Sequence, residues 1–366
     1  MAKASFHIDL HALASNWRAL DELSSTSTET AAVVKADGYG LGAVAVTEAL
    51  VKQGVNSFFV AIPEEGVAVR KACPNADIFV FSGYMPGDAA LYSQAELLPM
   101  LNSPEQLQRW LGDMGGRPYA IQIDTGMNRL GFEADELAAM TEHAGAARLL
   151  QSHLACADEP HHPMNRQQLQ QFHTITDTLV RQGGARRSLA ATGGVLLGPD
   201  FHFDMVRPGI GLYGGLPYLG AESVVRLSIP VVQCRMVKPG ETVGYSGTWK
   251  ASGETRVATL AAGYADGILR TLGISSGGSC KPEDLNTSLD IAGDSLVLYA
   301  GDIACPLIGR VSMDLITVDV TALEQEPESM DLIGSRQSFD KIAAQAGTLG
   351  YEIITACGAR YQRVYS

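Results

Sequence analysis

A single lysine follows an apolar run near the start of the chain and precedes a glycine-containing turn. In AVVKADGYG (32–40), Lys35 occupies the position where a buried strand would end. Burial there disfavours the ammonium form, so the side chain offers a neutral, nucleophilic amine. The alternative is a surface lysine whose aliphatic stem covers apolar neighbours while its charge stays in water. Lys35 alone therefore indicates amine chemistry without establishing it.

Polar and cationic residues also follow several later apolar runs. Taken one at a time, the arginines are typical of surface ion pairs, the histidine of a hydrogen-bonded core residue and the glycines of ordinary turns. Their repeated placement at the ends of runs indicates one shared site. The residues concerned are Asp124, Thr125, Arg129, His153, Thr192, Arg207, Gly209 and Ile210.

The elements that must position these residues are short apolar runs separated by segments of helical spacing. Strands that alternate with helices form a parallel sheet, and eight such units make a closed (β/α)8 barrel of the TIM type, with the active site at the carboxyl ends of the strands. An open doubly wound sheet is the alternative, although no GxGxxG follows the first run, which disfavours a dinucleotide site. The runs span residues 31–35, 57–62, 77–82, 96–101, 119–124, 149–154, 188–192 and 203–207.

Two glycine-containing turns, TGG (192–194) and PGI (208–210), follow the last two runs. Backbone N–H groups in turns at these two places are the usual phosphate site of a barrel. A phosphate site beside Lys35 predicts pyridoxal phosphate, held by that lysine as a Schiff base.

The pattern changes after residue 220. Strand-like segments such as 224–237, 255–264 and 314–320 are separated by Pro-Gly, Gly-Asp and Asp-Gly turns, which is typical of an antiparallel sheet. We therefore predict a (β/α)8 TIM-type barrel domain in residues 1–221, followed by a mainly antiparallel β domain in residues 222–366. The first few residues are candidates for pairing with the second domain.

Composition disfavours several classes of partner. The net charge is −13 and Lys and Arg form no block, which argues against nucleic acid and against an anionic membrane surface. The cysteines form no CxxC pair, which favours a reduced cytoplasmic protein over a disulfide framework or a zinc site, and no metal is expected. They are Cys73, Cys156, Cys234, Cys280, Cys305 and Cys357.

Five segments, in order along most of the chain, resemble the motifs of the alanine racemases. They carry, in turn, the pyridoxal-phosphate lysine, the substrate arginine, the cofactor arginine with its phosphate segment, the second-base tyrosine and a C-terminal substrate segment. The segments are VVKADGYGLG (33–42), DTGMNRLGF (124–132), MVRPGIGLYG (205–214), AAGYADG (261–267) and IGRVSMD (308–314).

The resemblance implies a role for each matching residue. Lys35 would hold pyridoxal phosphate and act as one base, and Tyr264 would be the other base, reaching the site from the opposite subunit of a homodimer. Arg129 would hold the substrate carboxylate, and Met313 would touch the substrate through its backbone. The remaining cofactor contacts would be Arg207 at the pyridine nitrogen, His153 against the ring, and Tyr39, Thr192, Gly209 and Ile210 at the phosphate.

The activity implied is the interconversion of L-alanine and D-alanine by a two-base mechanism. Whether the product feeds peptidoglycan synthesis or D-alanine is degraded stays open. The tyrosine must ionise well below its usual pKa of about 10, and we expect His153 and the neighbouring arginines to supply the cation that favours its phenolate.

Three positions depart from the family pattern. Gln122 stands where many members carry a carbamylated lysine, and its neutral amide remains able to hydrogen-bond Arg129. Ala191 replaces an asparagine, so a hydrogen bond near the cofactor is lost. The C-terminal phosphate tyrosine of the family has only Tyr361 as a candidate here.

Two other functions fit parts of the pattern. An amino-acid decarboxylase of the same layout would place an acidic residue at the pyridine nitrogen, where this chain has Arg207, and would carry a cysteine-containing motif in place of IGRVSMD. A pyridoxal-phosphate carrier built from the barrel alone would lack the β domain that contains Tyr264.

Overall fold

The computed structural model describes residues 3–273 and 296–366. These residues fold as two compact units. The barrel unit is His11–Glu222, and the C-terminal unit combines Ser223–Ser366 with the start of the chain up to Leu10. The division into separate domains at residues 221 and 222 stays a prediction.

Apolar runs become short parallel strands in the barrel unit. Strands are numbered along the chain from β1 (Ser5–Ile8), which belongs to the C-terminal unit. The strands of the barrel unit are β2 (Glu29–Thr30), β3 (Ala32–Val33), β4 (Ser57–Val60), β5 (Asp77–Val80), β6 (Leu98–Leu101), β7 (Ala120–Gln122), β8 (Leu149–Gln151), β9 (Arg186–Ser188) and β10 (Met205–Val206). Strands β3 to β9 form one parallel sheet in which each strand pairs with the next.

Backbone hydrogen bonds close this sheet through β10. On one side the Val33 N–H donates to the Pro208 carbonyl at 3.0 Å. On the other side the Arg207 N–H donates to the Ala190 carbonyl at 2.8 Å. The seven-stranded sheet and β10 therefore form the eight parallel strands of a closed barrel, and the open-sheet alternative is wrong.

Helices follow the strands, and the helix Pro104–Met114 shows a clear start signal. Ser103 accepts a hydrogen bond from the Gln106 N–H, and Pro104 occupies the first turn. All residues of β4 and β6 are buried, as expected for strands covered on both faces. The helices are α1 (Leu10–Asp21), α2 (Lys35–Tyr39), α3 (Ala43–Val51), α4 (Pro63–Arg70), α5 (Ala89–Ala95), α6 (Pro104–Met114), α7 (Ala134–Ala139), α8 (Thr141–Gly145), α9 (Pro163–Gly183), α10 (Thr192–Leu196), α11 (Phe339–Ala346) and α12 (Gly350–Thr355).

The C-terminal unit is built on one large sheet. Its further strands are β11 (Val225–Val237), β12 (Thr242–Val243), β13 (Trp249–Lys250), β14 (Thr255–Leu260), β15 (Val297–Ala300), β16 (Ile303–Ile308), β17 (Ile316–Asp319), β18 (Ser329–Ile333) and β19 (Gln362–Tyr365). The sheet order is β14-β17-β16-β15-β18-β11-β1-β19, and β11 also pairs with β14. Within the described residues the pairs of this unit are antiparallel except β1–β19. The predicted fold class, a TIM-type barrel followed by a mainly antiparallel β region, is confirmed.

The described cysteines are free thiols, namely Cys73, Cys156, Cys234, Cys305 and Cys357. Burial raises the pKa of Cys73 and of Cys305 to about 11, which suits unreactive core thiols. Cys280 lies outside the described residues. No helix in the described ranges is long and apolar enough to cross a membrane.

The first strand should be essential to the C-terminal unit. Phe6 of β1 is fully buried and packs near Tyr361, with ring centroids 6.3 Å apart. We expect Phe6→Ala to lower the free energy of unfolding by about 3–5 kcal/mol, measured by urea unfolding. Leu23→Ala, at an exposed leucine, is the control and should change it by less than about 0.5 kcal/mol. If the two changes lowered the free energy of unfolding equally, the first strand would not be an integral part of the C-terminal unit.

Candidate functional site

The Lys35 amine lies at the carboxyl end of the first barrel strand. The Val34 N–H still pairs with the Phe59 carbonyl of the neighbouring strand at 2.9 Å, and Lys35 follows directly. The amine lies 5.8 Å from the centroid of the Phe81 ring. Burial, and then the charge of Arg129, lower the pKa of Lys35, while Glu65 opposes the shift. The position therefore favours the neutral amine.

A left-handed turn follows this lysine. Residues 36–39 have φ of 53°, 53°, 63° and 54°, and Gly40 continues at 85°. The Gly40 N–H donates to the Ala36 carbonyl at 2.8 Å, so the turn is hydrogen-bonded like a helix of the opposite hand. Each non-glycine residue in this conformation costs roughly 1–2 kcal/mol. Strain of this kind persists where the surroundings enforce it, typically at functional sites.

Two carboxylates enforce the turn. Glu65 accepts from the Ala36 N–H at 2.7 Å and from the Ala61 N–H at 2.8 Å, so it ties the residue after Lys35 to the end of β4. Asp37 accepts from the Ala43 N–H at 2.8 Å and joins the turn to α3. These contacts fix the backbone on which the lysine stands.

Arg207 is a buried cation that forms no ion pair with any described residue. It is 1% exposed, its Nη2 donates to the Ser152 carbonyl at 2.9 Å, and its Nη1 donates to the Ser188 hydroxyl. Its guanidinium carbon lies 5.8 Å from the centroid of the Phe59 ring. Burial lowers the pKa of Arg207 to about 9, which leaves it charged at neutral pH. A buried charge without a partner is costly, so such a group calls for a ligand.

His153 is close to the other cations of the site. Burial, and then the charges of Arg207, Arg129 and Lys35, lower the pKa of His153 to about 3. These side chains therefore face a common space, as the sequence predicted. The expectation that His153 supplies a cation is wrong, because its imidazole is neutral at physiological pH.

A small cradle lies where the last two barrel strands end. The Thr192 hydroxyl accepts from the N–H groups of Gly209 and Gly211 at 3.0 and 3.2 Å. A Cβ on Gly209 would collide with the Tyr39 hydroxyl. The Tyr39 ring packs on Tyr213, with centroids 4.5 Å apart. Ile210 begins the 3-10 helix Ile210–Tyr213, where N–H groups lack intrahelical partners. The predicted phosphate residues therefore lie together.

Arg129 stands on an exposed loop between β7 and Phe132. Asp124 accepts from the N–H groups of Gly126 and Asn128 at 2.7 and 3.2 Å and shapes the loop. Among the described residues no hydrogen bond or ion pair engages the Arg129 guanidinium, so it is available to an anion.

Gln122 does not support Arg129 in the way the sequence suggested. Its amide oxygen accepts from the Gln151 Nε2 at 2.7 Å, across the neighbouring strands β7 and β8. In the described residues the Gln122 amide oxygen is thus engaged by the adjacent glutamine inside the barrel, and no hydrogen bond joins it to Arg129.

Tyr264 and Met313 lie side by side in the C-terminal unit. The Tyr264 N–H donates to the Ser312 carbonyl at 2.9 Å, and the Ala265 N–H donates to the Met313 carbonyl at 3.0 Å. Tyr264 is 40% exposed and Met313 is 53% exposed. The Arg270 guanidinium lies 5.7 Å from the centroid of the Tyr264 ring, a cation that sequence reasoning missed because nothing in its spacing indicated it.

Tyr361 packs inside the C-terminal unit. It is 5% exposed, lies near Phe6, and its hydroxyl makes no hydrogen bond to any described residue. Its role as a phosphate contact stays a prediction. The described residues also contain no group of three His, Cys, Asp or Glu side chains placed to hold a metal ion.

These features define a class of protein: a (β/α)8-barrel enzyme in which a lysine of lowered pKa faces an anion-binding cradle. Residues 8–217 match the family model for the alanine racemase N-terminal domain, and residues 224–365 match that for the C-terminal domain. The chain belongs to the alanine racemase family, which confirms the resemblance found in the five motifs.

Individual relatives match over the full length. A protein named alanine racemase from Dinoroseobacter shibae is 52% identical, over 100% of this chain and 99% of that one. The structure of alanine racemase from Bartonella henselae with covalently bound pyridoxal phosphate is 32% identical, with a TM-score of 0.87 and 100% of both chains covered. The biosynthetic alanine racemase from Pseudomonas aeruginosa is 33% identical, with a TM-score of 0.86 and the same coverage.

The neutrality of His153 should appear in the pH dependence of stability. The folded chain keeps the imidazole neutral down to a pKa of about 3, whereas the unfolded chain binds the proton near its ordinary pKa of about 6.5. Between these values the unfolded state binds more protons, so stability falls as pH falls, by about 1.4 kcal/mol per pH unit from this group. We expect urea unfolding between about pH 6 and pH 4.5 to show a shallower loss in His153→Gln. His161→Gln, at an exposed histidine, is the matched control, and an unchanged slope in His153→Gln would contradict the assignment.

Proposed function

We propose that this chain interconverts L-alanine and D-alanine, with pyridoxal phosphate held by Lys35 and with Lys35 and Tyr264 as the two bases. The observation that carries the proposal is that Lys35, whose pKa is lowered by burial, and the buried cation Arg207 both lie close enough to His153 to act on it. Membership of the alanine racemase family supports it. So does the pyridoxal phosphate bound covalently in the Bartonella henselae relative.

The residues present fit this cofactor. Gly209 lacks the Cβ that would collide with the Tyr39 hydroxyl, so the chain can bring these groups together, and Tyr39, Thr192 and the Ile210 N–H would hold the phosphate. Arg207 would donate to the pyridine nitrogen, which gives its buried charge an acceptor. When bound, pyridoxal phosphate withdraws electrons from the α-carbon of an amino acid and so makes its proton removable.

Lys35 suits the role of the base on one face of the substrate. An amine can accept a proton only while it is neutral, and burial together with the Arg129 charge favours that form. The Glu65 carboxylate favours the protonated form, so it would help the amine to hold the proton it has taken. Because Glu65 also fixes the backbone after Lys35, the amine would return to the same place after each proton transfer.

Tyr264 would serve the opposite face. Racemisation needs a second base on the other side of the substrate, and Tyr264 lies in a different unit of the chain from Lys35. We propose that it acts in a homodimer, reaching the site of the partner chain. Within its own unit the Tyr264 ring has a cation beside it, since the Arg270 guanidinium lies 5.7 Å from the ring centroid.

The substrate would be held by its carboxylate. The exposed Arg129 guanidinium offers the fork geometry that matches a carboxylate. The Met313 carbonyl is already engaged by the Ala265 N–H, so the backbone group suited to the carboxylate is the Met313 N–H. The amino acid would then be fixed on both sides with its α-hydrogen toward one of the two bases.

An arginine at the pyridine nitrogen would favour racemisation over transamination. Arg207 stays charged, donates hydrogen bonds through fixed nitrogens and would not hand a proton to the ring. Held in this way, the cofactor would supply weaker electron withdrawal than beside a carboxylic acid, so the α-carbon would regain its proton quickly.

We also propose a cytoplasmic location for the protein.

Borohydride reduction of the purified protein, followed by peptide mapping, tests the proposal. Borohydride traps the cofactor covalently on the lysine that holds it, so we expect the label on the peptide containing Lys35. The same preparation should convert L-alanine to D-alanine. Lys35→Arg should lose the label and about 10³-fold or more of the rate, whereas Lys71→Arg is the control for a lysine elsewhere. A label on another lysine would refute the proposal, as would release of carbon dioxide or no turnover.

Changing the charge at Arg207 tests its role in directing the reaction. We expect Arg207→Glu to slow racemisation by at least about 10-fold and to raise the fraction of pyridoxamine product. Arg207→Lys, which keeps the charge, is the matched control and should not raise that fraction. The measurement is the ratio of D-alanine to pyridoxamine formed from L-alanine. An unchanged ratio in Arg207→Glu would rule out this explanation.

A further inference from the structure

Arg360, near the C-terminus, places three guanidinium nitrogens on two carboxylates of the C-terminal unit. Its Nε and Nη2 donate to the two oxygens of Asp266 at 2.6 and 2.7 Å. Its Nη1 donates to Asp314 at 2.7 Å. Asp266 is 4% exposed, so its charge needs a partner, and the bidentate arginine supplies it. No motif in the sequence singled out Arg360.

The two carboxylates lie directly beside the residues assigned to catalysis in this unit. Asp266 ends the 3-10 turn that Tyr264 begins, and it also accepts from the Gly263 N–H at 2.9 Å. Asp314 is the residue after Met313. A Cβ on Gly263 would collide with the Met313 carbonyl, so the two segments are in close contact.

The segment that carries Arg360 also touches the tyrosine turn through its backbone. The Gly358 N–H donates to the Asp266 carbonyl at 3.3 Å. A Cβ on Gly267 would collide with the Ala356 carbonyl. The arginine therefore approaches the two carboxylates from a backbone that is itself held against the turn.

We propose that Arg360 is a positioning residue that holds the Tyr264 turn and the Met313 segment in one fixed arrangement. The inference rests on the proposed function, in which these two residues face the substrate. The guanidinium acts as a planar cross-link between Asp266 and Asp314, and a lysine ammonium cannot reproduce its parallel hydrogen bonds. The Arg360–Asp314 pair is half-exposed and contributes little to global stability. Asp266 is buried, and a lysine at position 360 keeps a cation beside it, so the effect of Arg360→Lys should appear in geometry and rate more than in unfolding.

The test replaces Arg360 by Lys in the enzyme loaded with pyridoxal phosphate. We expect kcat for alanine racemisation to fall by about 10- to 100-fold, because small displacements of a catalytic group have effects of that size. Amide hydrogen exchange, followed by mass spectrometry, should become faster in peptides covering 261–268 and 311–315. Arg336→Lys is the matched control, since Arg336 pairs with Asp302 at 2.9 Å in the same unit and does not contact either segment. A kcat within twofold of the unchanged enzyme, with unchanged exchange, would overturn the proposal.

A double variant shows whether Arg360 acts through Tyr264. If it does, Arg360→Lys should have little further effect on the rate in a Tyr264→Phe background, whereas additive losses would overturn the proposal. A fully active Tyr264→Phe enzyme would instead refute the assigned base, and the exchange measurement would still decide whether Arg360 holds the turn. Should Arg360→Lys fail to fold, Asp314→Asn removes one exposed contact. It should lower kcat by about threefold, and no change in kcat or exchange would overturn the proposal.

Discussion

At the carboxyl end of β3 the Lys35 amine lies partly buried, next to cations and against the Phe81 ring. Burial removes the water that would stabilise its ammonium form, and the positive charge of Arg129 disfavours that form further. The amine is therefore held where its neutral form is favoured, which covalent chemistry and proton removal both require. The strained left-handed turn and the Glu65 contacts are the means by which the backbone keeps it there.

The same side of the barrel carries an excess of positive charge on a chain whose net charge is −13. Lys35, Arg129 and Arg207 all act on His153, so they share one space. Glu65 is the carboxylate that acts on Lys35. Such a concentration of cations attracts anions locally, although the net negative charge of the chain as a whole repels them. The pocket is therefore prepared for a ligand with a phosphate and for a substrate with a carboxylate.

Much of the architecture could be read from the sequence because its causes are local. Each barrel strand is a run of apolar residues, and parallel strands place the residues after such runs at one end of the barrel. The position of Lys35, Thr192, Arg207 and Gly209 at the site follows from that rule alone. The roles assigned to them came from the family resemblance.

What the sequence did not predict depends on contacts between distant segments. The Gln122 amide was able to hydrogen-bond Arg129 as far as the sequence shows, yet Gln151 on the neighbouring strand supplies its hydrogen bond. His153 was expected to supply a cation, but burial, and then the charges of three residues from separate segments, lower its pKa. The left-handed turn depends on Glu65, which lies 29 residues from Ala36 in the chain. Hydrophobic periodicity cannot predict such partners, because it relates only residues within one helix or strand.

The pairing of β1 has a consequence for the order of assembly. This strand lies between β11 and β19, and both neighbours follow the barrel unit in the sequence. The whole barrel unit is thus an insertion between the opening strand and the rest of its sheet. Contacts so far apart in sequence form late. During synthesis the opening strand can therefore pair with β11 only after the barrel unit has been made, and with β19 later still.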